Sequence, residues 1–188
     1  MNLVLKDFTL LSLQENQEIL AIRNSEHVRS NMKTQSNIMI ENHLNWIETL
    51  KKDQSNIYYA VFHNDIIVGA IYITEVDYVS KESTWGLYFK QNINPFISSI
   101  CTYVIINRIF TTMALDLLKL EVNKINKAAY KFDLTFGFVK YDEKAEDNKE
   151  YFLMQMNKEY WLAHKNDSVL NLINKKLSTI NLQIKDKV

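Results

Sequence analysis

The chain has 188 residues, enough for one domain with a sizeable core. A hydrophobic content of 47% excludes a disordered chain, and 22 basic against 22 acidic side chains argue against a protein built to coat nucleic acid or an anionic membrane. One cysteine excludes an internal disulfide and a cysteine-rich metal site, and it points to a reducing, cytoplasmic setting with no bound metal.

In chain order, "LVLKDF" reads as a first strand. The N-terminus lacks a basic start, a long apolar stretch and a small-residue cleavage site, so no signal peptide is expected. "SLQE", Ser12 to Glu15, matches a capping box and opens a helix that runs to about Ile22. Ser25 is placed to cap a short second helix. Residues 42–52 form an amphipathic helix, with His43, Trp46, Ile47 and Leu50 on one face. "IYYAVFH" and "DIIVGAIYITEV" are β-branched and aromatic, and Asn64-Asp65 between them predicts a hairpin. "TWGLYFK" adds a third strand after the turn "DYVSKES". Residues 98–115 are apolar nearly all round, as in a helix packed in a core, but Asn107 and Arg108 break the run well short of the ~20 residues of a membrane span. "LKLEV" at 118–122 is a buried strand, and "NKAAYKFDLTF" is a short helix that stops at Gly137. Two strands around a charged turn and a final amphipathic helix, "DSVLNLINKKLSTI", complete the chain. A meander followed by β-α-β gives an α/β class: one mixed sheet with helices on both faces.

This order, with the stretch "RNSEHVRSNM…IENHLNWIETLKKDQSNIYYAVFHNDIIVGAIYI" and the segment "NKAAYKFDLTFGF", resembles the GNAT superfamily of acyl-CoA-dependent N-acyltransferases. The likeness spans roughly residues 3–163 and looks closest to the PseH-like nucleotide-aminosugar N-acetyltransferases, with the ribosomal-protein-alanine branch nearby. It implies a GNAT domain over residues 1–165 and a helical extension over 166–188, which either caps the sheet or covers a homodimer interface. It implies acetyl-CoA as co-substrate, lying where the strand at 85–89 splays from the strand at 118–122. Backbone donors near Leu87, Tyr88 and Phe89 would polarise the thioester, the diphosphate would sit by Ser98, Ser99, Ile100 and Cys101, and Asn126 and Ala129 would also bind the cofactor. The implied acceptor is a primary amine of a UDP-linked 4-amino-dideoxy sugar, met by Arg23, Asn24, Met32, His43 and Trp85. His43, or Glu75 and Glu121, would take the amine proton.

Two departures stand out. The phosphate loop "NPFISSIC" lacks the glycines that let a backbone approach phosphate closely. The family's tyrosine acid, seven residues after the asparagine, is replaced by Asp133. A free aspartate ionises near ~4 and cannot donate a proton at neutral pH unless burial raises its pKa. Tyr130, three residues earlier, is the other candidate acid, or no acid is used. The ribosomal-protein branch keeps a protein N-terminal acetyltransferase open as an alternative, and the departures keep open a GNAT-fold binding module without catalysis. Cys101, without a histidine partner, reads as a buried small residue rather than a nucleophile.

Overall fold

The structure, a computed structural model, describes residues 1–187. The chain opens with β1 (Asn2–Asp7), a 3-10 turn (Phe8–Leu10) and helices α1 (Leu13–Asn24), α2 (Glu26–Arg29) and α3 (Ile40–Leu50). The capping box is present: Ser12 Oγ accepts from Glu15 N, and the Glu15 carboxylate accepts from Ser12 N. Ser25 sits at the start of α2, but its hydroxyl donates back to the Ile22 carbonyl and caps nothing. The meander follows as β2 (Ile57–His63), β3 (Ile66–Asp77) and β4 (Glu82–Phe89), and Asn64 and Asp65 take the left-handed conformation their hairpin needs.

Helix α4 (Pro95–Thr111) starts before residue 98 because Asn94 caps it and Pro95 takes its first turn. Then come β5 (Leu117–Asn123), α5 (Lys127–Phe136), β6 (Val139–Glu146), β7 (Lys149–Asn157), α6 (Lys158–His164), α7 (Ser168–Leu177) and β8 (Asn181–Lys185). Helix α6 and strand β8 depart from the sequence reading. "KEYW" continues the strand pattern by composition, yet Asn157 caps Tyr160 N and turns the chain into a helix. β8 pairs in parallel with β1 through five register positions, from Asn2↔Asn181 to Lys6↔Lys185.

The eight strands form one mixed sheet in the order β6-β7-β5-β4-β3-β2-β1-β8. Side-chain alternation divides the core between its faces. On one face Leu3, Leu5, Tyr59, Ile71 and Ile73 pack on α4, α5, α6 and α7. On the other, Ala60, Ile67, Ala70 and Tyr88 meet Ile19, Ile22, Val28 and Ile47 of α1, α2 and α3. Helix α4 is apolar all round because a second layer covers its outer side: Trp161 of α6 lies 5.1 Å from the Tyr103 ring, and Leu170 and Ile173 of α7 are buried in the same core.

Two irregularities shape the sheet where a site could form. β3 carries a bulge between Thr74 and Asp77, with Glu75 at φ 54. Parallel pairing of β4 with β5 begins at Glu82↔Leu117 and ends at Thr84↔Lys119, while β4 continues to Phe89 and β5 to Asn123. The two strands therefore diverge.

Gly137 ends α5 at φ 98, with Gly137 N donating to Leu134 O and Phe138 N to Asp133 O. A Cβ there would also collide with the Tyr160 ring. Gly137→Ala is expected to lower the unfolding free energy by about 1–3 kcal/mol, read from urea denaturation. An unchanged midpoint would contradict this closure.

Candidate active site

The divergence of β4 and β5 opens a cleft of about 470 Å3. Leu87 and Phe89 on one wall face Leu120 and Val122 on the other, and Asn126, which caps α5, closes it with Ala129 and Asp133 of that helix. The β4–β3 ladder uses only alternate backbone groups of β4, so the remainder between Trp85 and Phe89 face this cleft instead of a strand. A second cavity, of about 610 Å3, lies between the sheet and the helices α1 and α3. Its floor is aromatic: Trp46 meets Tyr58 edge-on at 4.8 Å, and Tyr58 stacks on Tyr72 at 5.0 Å. Met32, Tyr72, Trp85, Leu120 and Glu121 line both spaces, so the two meet where the strands part. Tyr72 reaches across Gly86, its register partner, and a Cβ at Gly86 would overlap its phenol.

The residues expected to act fall into three groups. Met32, His43, Glu75, Arg23 and Trp85 line the larger cavity. Arg23 Nη2 donates to Thr34 O at 3.0 Å, and Nη1 is buried without a partner among the described residues. His43 is buried, and its Nε2 lies 3.2 Å from Asn16 Oδ1. Asn16 Nδ2 donates to the Leu11 and Ser12 carbonyls, so Asn16 Oδ1 accepts and the imidazole proton sits on Nε2. Burial pulls the His43 pKa down to about 4, so it is uncharged at neutral pH. Glu121 stands at the junction with Lys33 at 2.9 Å and Lys144 at 2.7 Å. Burial pushes its pKa up, but hydrogen bonds from the two lysines outweigh this and hold it ionised.

Leu87, Phe89, Ser98, Asn126, Ala129 and Asp133 line the smaller cleft, whereas the Tyr88 side chain points to the larger cavity, as strand alternation requires. Asp133 is 6% exposed, and its carboxyl has no hydrogen-bond partner among the described residues. Burial alone raises its pKa to about 8, so at neutral pH it is a protonated acid.

The third group lies away from both spaces. Asn24 spends its amide on the Ile38 backbone, donating to Ile38 O and accepting from Ile38 N. Tyr130 packs on Phe152 at 4.7 Å, not on the cleft. Ile100 and Cys101 are fully buried in the core, and Ser99 turns its hydroxyl to Pro95 O, because α4 has already begun at Pro95. Burial pushes the Cys101 thiol up to about 12, which makes it inert. Ile97 is also core, so the cleft is not plugged by it.

The sequence reading missed Tyr72, Tyr58 and Lys33. The register of β3 against β4 sets Tyr72 opposite the small Gly86, a pairing visible only once the bulge is known.

No protein-family model matches the chain. It is 34% identical over 139 residues to acetyltransferase PseH of Campylobacter jejuni, covering 74% of this chain and 86% of that one. The crystal structure of Campylobacter jejuni N-acetyltransferase PseH in complex with acetyl coenzyme A superposes with a TM-score of 0.65 at 28% identity, over 82% of this chain and 98% of that one. FdhC, a nucleotide-linked sugar GNAT, shares the fold with a TM-score of 0.70 at 20% identity, over 88% of this chain and 96% of that one.

The Asp133 carboxyl ties stability to pH. The folded chain keeps its proton to about pH 8, while the unfolded chain loses it near 3.8. Between these values the folded state binds more protons, so stability falls as pH rises and the cost is absent below the lower value. Asp133→Asn removes this titration. Urea denaturation is expected to show the variant gaining on the wild type from about pH 5 to about pH 8, approaching about 1 kcal/mol per pH unit. A pH-independent difference would contradict a buried neutral carboxyl.

Proposed function

The chain belongs to the PseH-like N-acetyltransferases of the GNAT superfamily, and from that premise we propose that it moves acetyl from acetyl-CoA to the amine of a UDP-linked 4-amino-dideoxy sugar. The observation that carries the acceptor reading is Arg23 Nη1, buried and unpaired in a cavity floored by aromatic rings. A buried guanidinium without a partner is costly, and a phosphate-bearing ligand would relieve it with a charge-assisted pair. Trp46, Tyr58 and Tyr72 suit the apolar face of a sugar ring, and Met32 and Trp85 suit a 6-deoxy methyl group.

The cleft fits the arm of the donor. Its unpaired β4 edge offers backbone hydrogen bonds, its walls are apolar, and its α5 side carries a neutral acid. The bound thioester supplies the acetyl group. Backbone N–H groups between Trp85 and Phe89 stabilise charge on the carbonyl oxygen. Glu121, held ionised by Lys33 and Lys144 and bordering both spaces, takes the proton of the attacking amine and releases it to solvent. His43 is too weak a base to hold a proton at neutral pH, and it orients the acceptor as a neutral hydrogen-bonding group. Glu75, exposed on the cavity rim, offers a second route for the proton to solvent. Asp133 gives its proton to the departing sulfur, the part the tyrosine plays in the family. Tyr130, turned to Phe152, takes no part.

Incubation with acetyl-CoA and a UDP-4-amino-4,6-dideoxyhexose is expected to release free thiol and yield the 4-acetamido product. Asp133→Asn should lower kcat by about 100-fold, and wild-type kcat should fall as pH rises through the Asp133 value of about 8, since the protonated form is the donor. Acetylation of a peptide N-terminus but not of the sugar would establish the protein-directed alternative. Absence of acetyl-CoA binding would leave a binding module.

A further inference from the structure

The glycine-poor loop leaves the donor's diphosphate without the usual cradle. In α4, Pro95 has no N–H, Phe96 N is taken by Asn94 Oδ1 at 3.0 Å, and Ile97 N is taken by Asn94 O at 2.9 Å. The first turn therefore has little left to give an anion. Ser98 and Ser99 both commit their hydroxyl protons to Pro95 O. Yet the donor carries several negative charges, and one group lining the cleft, Glu121, is an ionised carboxylate.

The one cation lining that cleft, among the described residues, is Lys90. It follows β4 directly, and its backbone is fixed by a hydrogen bond from Lys90 N to Val68 O at 2.8 Å. Its side chain is exposed and is engaged in no ion pair among the described residues. Asn92, two residues on, takes the left-handed conformation at φ 61, which turns the loop back along the same wall. Lys90 thus lines the cleft just past the C-terminal end of β4, where the loop to α4 begins.

We propose that Lys90 holds the diphosphate of acetyl-CoA, replacing with a side-chain ammonium the contacts that a glycine-rich loop makes with its backbone. This rests on acetyl-CoA being the donor. The ammonium is a point charge on a flexible stem, so it reaches an anion that the proline-started helix cannot approach. The contact is solvent-exposed, so it weakens with salt.

Calorimetric titration of coenzyme A and 3′-dephospho-coenzyme A, together with kcat/KM for S-acetylpantetheine, tests the assignment in the wild type, Lys90→Gln and Lys90→Arg. Lys90→Gln is expected to weaken both coenzymes about ten-fold and flatten their salt dependence, to leave S-acetylpantetheine unaffected, and to leave the melting temperature unchanged. Lys90→Arg should restore most of the affinity. Equal affinity in Lys90→Gln and wild type overturns the proposal, as does an equal loss with S-acetylpantetheine. A loss confined to coenzyme A would assign Lys90 to the 3′-phosphate and overturn the diphosphate contact. Failure of the wild type to bind coenzyme A would instead overturn the donor reading itself.

Discussion

The parting of β4 from β5 beyond Thr84↔Lys119 is the constraint on which everything else rests. A parallel pair in mid-sheet normally continues its ladder, because an unpaired buried backbone group costs free energy. Here the ladder stops while both strands run on. The bulge at Glu75 lies on β3 beside the last paired residues, where added twist helps turn β4 away from β5. The gap connects the two faces of the sheet. One face then supplies an aromatic cavity with an unpaired guanidinium, the other an apolar slot with a neutral acid.

Asp133 illustrates how tertiary burial rewrites side-chain chemistry. A carboxylate would be a poor neighbour for a thiolate and for phosphates. Held at 6% exposure with no partner, the same side chain becomes an acid of pKa about 8, closer to a thiol than a phenol is. Its position is set by its own backbone, since the Asp133 carbonyl accepts from Phe138 N in the closure around Gly137. The glycine that ends α5 thereby also aims the acid. The fold carries this group at a cost to stability at neutral pH, a common bargain at functional sites.

Local rules in the sequence were enough for most elements. The Ser12–Glu15 box, the Asn64-Asp65 hairpin and the Gly137 stop each depend on contacts within a few residues, and each stands as read. Where longer-range packing decides, the reading diverged. Asn94-Pro95 looks like loop punctuation, yet it is a helix start, which displaces Ser99, Ile100 and Cys101 from the phosphate end. β8 is five residues long and exists because β1 offers an open edge. Tyr130 and Asp133 differ by about 60° around an ideal helix, and only the position of Phe152 decides which faces the cleft. Lys90 carries no motif at all. Its meaning depends on the donors in the first turn of α4 being occupied.

Amide hydrogen exchange with and without acetyl-CoA tests the central claim most directly, because it reads the β4 backbone residue by residue. Occupation of the gap between the diverging strands predicts slowed exchange at amides within residues 85–89 and little change at 82–84, where β5 already protects them. Protection confined to other elements, with residues 85–89 unaffected at saturating acetyl-CoA, would contradict it.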